Sequence, residues 1–344
     1  MPAQIPTQTY RDYTLRLAPS PGVSDPLKLL ISIGGGGPSP FVIDTGSTGI
    51  LAAPRWIGPR YIDTGLPFKL TYTSSGRSYS GTWVIATVTF HSSPVFGQPS
   101  IAPVSTVPML IRRVEVQSEV TDATHGVAMM GVGFDRDTGP TSTGSQPTTG
   151  HLPVPSNINP FLMLPEMLFG TMTPGYVLTK TSVTLGVTQD TIQRFPFIIP
   201  LARKETECAA PMVELTLSTS EGGMSKEAFS FSAELLIDTG LGYCIVQAPK
   251  ADVPHLVPDS DILSRGQTLT LSFNGKPFYS FTTADASDPH DPDAPDHISW
   301  RHKLHQGHGF INTSRHPLAT FDYLYAIRPE GGMLRFRFLS GPKD

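Results

Sequence analysis

Apolar residues along this chain fall in short runs separated by glycine, proline and small polar residues. Tyr13–Leu17 alternates, Leu27–Ile33 is a mostly apolar run, and Phe41–Ile43 is another. Phe68–Tyr72 and Trp83–Phe90 flank Thr73-Ser74-Ser75-Gly76-Arg77, which reads as a hairpin with its tip at Ser74 and Ser75. Val107–Val116 and Gly175–Leu185 continue the pattern. Val213, Leu215 and Leu217 recur at period two, and Phe229–Ile237, Leu269–Phe273 and Leu334–Phe338 follow. A period of two places alternate side chains on one face of a strand. Helical spacing is sparse, with Pro160–Phe169 and Arg315–Phe321 the two short stretches that carry it. Asp137–Pro155 and Thr282–Gly309 read as loops. The first is rich in Thr, Gly, Ser and Pro, and the second in Asp, Pro and His.

Composition agrees with an all-β chain. Hydrophobic residues make up 39% of 344 and charged ones 16%, enough apolar content for sizeable cores and against general disorder. The chain has 32 Gly and 34 Pro, too many for a helical bundle. Its net charge is −4 with no basic stripe, which argues against a nucleic-acid partner. No apolar run approaches the ~20 residues that a membrane helix needs. The first residues, Met1-Pro2-Ala3-Gln4-Ile5-Pro6, lack the basic start and apolar core of a secretion signal, so a cytoplasmic monomer is the expectation. Two cysteines, Cys208 and Cys244, are too few for a disulfide scaffold.

One internal repeat stands out. Phe41-Val42-Ile43-Asp44-Thr45-Gly46 continues to Ile50-Leu51-Ala52-Ala53-Pro54. Leu235-Leu236-Ile237-Asp238-Thr239-Gly240 continues to Cys244-Ile245-Val246-Gln247-Ala248-Pro249. Each copy is an apolar run, Asp-Thr-Gly, a few turn residues, a second apolar run and Ala-Pro. Asp-Thr-Gly also occurs at Asp63 and Asp137, but without the matched flanks, and those two read as ordinary turns. An apolar strand ending in Asp can deliver a carboxylate to a buried site, and Gly two residues on permits close packing beside it. Two such carboxylates brought together cannot both ionise. They share a proton, so that one serves as acid and the other as base.

On these residues the chain resembles the pepsin-like aspartic peptidases. Phe41–Gly49 and Leu235–Gly240 are similar to the family's two active-site motifs, and Gly126–Gly131 to the apolar-apolar-Gly element of the first lobe. Gly175–Gly186, Ile198–Leu201 and Gly309–Asp322 resemble later segments. The resemblance implies two β lobes, 1–195 and 196–344, with a cleft between them and no metal or organic cofactor. It implies that Asp44 and Asp238 activate a water against a peptide bond of an extended polypeptide. Thr45 and Thr239 would brace the two loops, and Gly46 and Gly240 would bring backbone N–H groups to the carboxylates. Ser47 would donate to the outer oxygen of Asp44. Tyr72, Ser74, Ser75 and Gly76 would belong to a flap over the substrate, with Tyr79 the rival for the flap tyrosine.

Several positions depart from the family pattern. Leu241 stands where the family has a hydroxyl residue, so Asp238 is expected to lose a donor and activity to move toward mild acid or neutrality. Leu51 stands where the family often has Trp, leaving the flap tyrosine without its usual partner. Phe310-Ile311-Asn312 lacks the Gly of the second-lobe element. Only 43 residues precede Asp44, so no removable prosegment is expected. These departures keep two other functions open. One is acid/base chemistry on a small molecule, and the other is a binding protein without turnover. His302, His305 and His308 near an Asp-rich stretch read as a solvated insertion rather than a metal site.

Overall fold

The structure is a computed structural model. It describes residues 12–19, 25–72, 76–118, 126–135, 158–204, 207–221, 224–248, 266–283, 294–295, 297–301 and 307–339. The fold is all-β, as the spacing predicts, and bilobal, as the resemblance implies. A nine-stranded sheet uses strands from residues 28–132, and a seven-stranded sheet uses strands from residues 212–312. A six-stranded sheet draws on both parts of the chain. In it Gly175–Leu178 pairs with Phe321–Arg328, Tyr176 lying opposite Tyr325. That sheet carries much of the aromatic core. Tyr176 packs against Phe161, Tyr323 and Tyr325, and its buried hydroxyl donates to the Val132 carbonyl at 2.7 Å. Among the described residues, no helix is long and apolar enough to cross a membrane.

The period-two reading is accurate where one face is buried. In Met212–Glu221, Val213, Leu215 and Leu217 are all buried, and the residues between them are not. The reading needs correction where local signals compete. Pro160–Phe169 is not one helix but a 3-10 turn, Pro160–Leu162, and a one-turn helix, Pro165–Leu168. Pro165 pushes Leu164 into extended backbone and restarts the chain as a first-turn residue. The stretch Thr282–Gly309 is not wholly a loop. Ile298–Arg301 is a strand parallel to Cys244–Gln247, anchored by the fully buried Trp300. Asn274-Gly275, both at positive φ (52° and 72°), closes a hairpin from Gln267–Phe273 to Lys276–Thr282. Asp63 sits at a bulge within Ile62–Thr71, where its carboxylate accepts the Gly65 N–H at 2.9 Å. Asp137, the predicted loop Asp137–Pro155, and His302 and His305 lie outside the described residues. Cys208 and Cys244 are buried and unbridged.

Candidate active site

Both halves build the same loop. Ser39–Asp44 runs out to Asp44, and Thr48–Ala52 returns. Between them lies Ala128–Val132, parallel to the first and antiparallel to the second, so Met130 faces both Ile43 and Ile50. In the second half Met224–Leu236 leads toward Asp238 and Cys244–Gln247 returns. Gly309–Asn312 is inserted between them, with Ile311 facing both Leu235 and Val246. The inserted strand forces the chain to hop over it, and each Asp sits on the hop. The apolar residues on either side are buried, so burial of the strands fixes where the carboxylates stand.

The two hops meet. Asp44 and Asp238 are 5% and 6% exposed, and their carboxylates stand side by side at Gly240, where an added methyl would meet both, Asp44 Oδ1 at 2.7 Å and Asp238 Oδ1 at 3.1 Å. Four bonds bracket them. The Thr45 hydroxyl donates to the Ile237 carbonyl at 2.5 Å and accepts the Thr239 N–H at 3.0 Å. The Thr239 hydroxyl donates to the Ile43 carbonyl at 2.6 Å and accepts the Thr45 N–H at 3.1 Å. Each threonine thus satisfies two buried backbone groups of the opposite loop. Gly46 N–H donates to Asp44 Oδ1 at 2.7 Å, and Gly240 N–H to Asp238 Oδ1 at 2.9 Å. Both positions require glycine. A methyl at Gly46 would overlap the Asp238 carboxylate, and one at Gly240 would lie 2.7 Å from Asp44 Oδ1.

Outer oxygens have different partners. Ser47 Oγ donates to Asp44 Oδ2 at 2.5 Å. Leu241 offers nothing in the equivalent place, yet Asp238 has not lost its donor. Asn312 Nδ2 donates to Asp238 Oδ2 at 2.6 Å. The expectation of a missing hydrogen bond is therefore corrected, because Asn312, at the end of the inserted strand, supplies an amide. Burial, and after it the charge of Asp238, hold the Asp44 carboxyl well above the usual carboxylate range, against the Ser47 and Gly46 bonds that oppose the shift.

Tyr72 stands at the base of the predicted flap. Its N–H bonds to the Arg77 carbonyl at 2.9 Å, and Gly76 N–H bonds to its carbonyl at 2.7 Å; Ser74 and Ser75 lie outside the described residues. The Tyr72 hydroxyl is buried and turned toward Ser47, and among the described residues no hydrogen bond of normal geometry closes on it. Burial and the Asp44 charge push its phenol far up. Tyr79, the rival, is a packing residue. It joins Leu51, Phe68, Trp83, Leu110 and Ile158 in a separate cluster, and its ring meets that of Tyr72 edge-on at 5.8 Å.

A solved structure settles the architecture. The chain has the pepsin-like fold. It matches the crystal structure of aspartic proteinase from Irpex lacteus with a TM-score of 0.55 at 13% identity, over 96% of this chain and 98% of that one. No model of a known protein family matches the chain, and no curated protein matches it in sequence.

Two residues near the site escaped the reading of the sequence. Asn312 is one; its signal was a polar residue at the end of an apolar strand. Arg112 is the other. It is 7% exposed, stacks on Trp83 with its guanidinium carbon 4.7 Å from the ring centre, and donates to the Thr48 carbonyl at 2.8 Å. It lies inside Met109–Gln117, where the pattern marks only a strand.

Proposed function

We propose that this chain is an aspartic endopeptidase. The observation that carries the proposal is the pair of buried, adjacent carboxyls held by reciprocal threonine bonds between two like loops. In the proposed reaction Asp44 starts protonated and Asp238 ionised. A water between them gives a proton to Asp238 as its oxygen attacks the scissile carbonyl carbon. Asp44 gives its proton to the carbonyl oxygen. The resulting diol returns a proton to Asp44 as the C–O double bond reforms, and the departing nitrogen takes the proton held by Asp238. Both carboxyls end as they began.

The raised Asp44 carboxyl supports a protonated acid well above the pH at which an ordinary carboxylate ionises. This favours activity in the mildly acidic to neutral range, by a cause other than a missing donor on Asp238. An extended polypeptide is the substrate class that suits a cleft between two β lobes. At ~3.3 Å per residue such a cleft spans roughly six to eight residues. The test is digestion of a mixed peptide library from about pH 3 to 8, read by mass spectrometry. Wild type, Asp44→Asn and Asp238→Asn are compared, with and without a statine-type inhibitor. Cleavage that disappears in both variants and with inhibitor supports the proposal. A folded wild-type protein that cleaves nothing rejects it and directs attention to acid/base chemistry on a small molecule.

A further inference from the structure

Asn312 has a counterpart in the first lobe. Met129 lies opposite Val42 and Leu51, and Asn312 lies opposite Leu236 and Ile245. Each pair is offset by the same 194 residues that separate Thr45 from Thr239. Where the first lobe places an apolar thioether, the second places a primary amide, 3% exposed.

Both ends of that amide are committed. Oδ1 accepts the Ser314 N–H at 2.9 Å, and Nδ2 donates to Asp238 Oδ2 at 2.6 Å. A backbone N–H can only donate, so Ser314 determines which end of the amide carries oxygen. The same bond holds Ser314 in the left-handed region at φ 64°. The end facing Asp238 is therefore –NH2, which cannot accept a proton from the carboxyl. The other oxygen of Asp238 meets the Gly240 N–H, also a donor only. Asp44 differs. One of its oxygens faces the Gly46 N–H, but the other faces the Ser47 hydroxyl, which can rotate to accept. A proton on Asp44 has a partner to receive its hydrogen bond. A proton on Asp238 competes with a donor at either oxygen.

We propose that Asn312 is the positioning residue that holds Asp238 as the ionised base and so assigns the shared proton to Asp44, replacing the hydroxyl that Leu241 lacks. The proposal rests on the reading of these two carboxyls as the proton-handling pair. Other ionisable groups border Asp238. Asp44 faces it across the cleft. Arg315 and His316 follow on the same segment, donating to the carbonyls of Gly240 at 3.2 Å and Gly242 at 3.1 Å. The variants below leave all three unchanged.

The experiment is a pH titration of protein labelled with 13C at the aspartate carboxyls, followed by NMR, which needs no turnover. Four proteins are compared: wild type, Asn312→Leu, Leu241→Ser, and the double variant. Loss of a hydrogen bond to a charged group corresponds to roughly one to two pH units. Asn312→Leu should raise the lower apparent pKa of the pair by that amount, and the double variant should recover most of the shift. Leu241→Ser alone should move it by less than about 0.3 units, because the oxygen is already served. That arm keeps Asn312 intact and so decides the matter even where Asn312→Leu does not fold. An unchanged titration in folded Asn312→Leu, a double variant that recovers nothing, or a drop of about a full unit in Leu241→Ser alone overturns the proposal. A wild type that cleaves no peptide but shows the expected titration rejects the peptidase reading and leaves Asn312 in its role.

Discussion

Replacing Thr45 by Val keeps the shape of the side chain and removes only the hydroxyl's hydrogen bonding. In the native structure that oxygen accepts the Thr239 N–H and donates to the Ile237 carbonyl, with Thr45 3% and Thr239 1% exposed. The substitution strands both backbone groups where water does not reach. Each orphaned group costs about 1–3 kcal/mol, so the variant should lose about 2–6 kcal/mol. That is a large part of the ~5–15 kcal/mol that holds a typical domain folded. Urea unfolding measures it. With a slope of ~3 kcal/mol per molar or more, the midpoint should fall on the order of 1 M. Thr45→Ser keeps the oxygen and should stay within about 1 kcal/mol of wild type. The bracket also makes a coupling prediction. Thr239→Val breaks the other two bonds of the same unit, so the double variant should lose less than the two singles summed. A Thr45→Val protein within about 0.5 kcal/mol of wild type would show that the two loops are held by something other than this bracket.

Three further outcomes follow from the site. The raised Asp44 carboxyl makes the folded state bind a proton that the unfolded state has released. Stability should therefore decline as pH rises from the ordinary value of 3.8 toward the raised one, and Asp44→Asn should abolish that slope in thermal melts across the range. Gly46→Ala places a methyl on the Asp238 carboxylate, so peptide cleavage should drop at least about a hundredfold; kcat/KM within a factor of a few would count against the close approach. Tyr72→Phe removes a buried hydroxyl that no hydrogen bond serves among the described residues, so stability should hold or rise slightly in urea unfolding, and a loss of more than ~1 kcal/mol would mean the hydroxyl has a structural partner after all.

Much of the fold is readable from spacing because the sheets are buried on one face, as at Val213, Leu215 and Leu217. The loops bearing Asp44 and Asp238 are readable for a different reason: the repeat extends through both flanking strands, and those flanks bury the inserted strand between them. Ile298–Arg301 is hidden because its two buried apolar residues, Ile298 and Trp300, stand within a long polar stretch. The six-stranded sheet is hidden because the pairing of Tyr176 with Tyr325 joins distant parts of the chain, and no local pattern encodes a partner.

The second loop shows how a motif can mislead when its positions are weighed one at a time. Leu241 and Asn312 each look like a loss in the sequence, one of a hydroxyl and the other of a glycine, although register makes Met129, not a glycine, the first-lobe counterpart of Asn312. Register places the second beside the carboxylate that the first fails to serve. What a buried carboxylate requires is a donor at the right point in space, and its oxygen does not distinguish a hydroxyl three residues along the chain from an amide on the neighbouring strand. The two departures are then one compensated change. Compensation is not identity, however, because the amide donates in one direction only. The loop that departs from the pattern therefore meets its carboxylate with donors only, while the Ser47 hydroxyl can donate to Asp44 or accept from it.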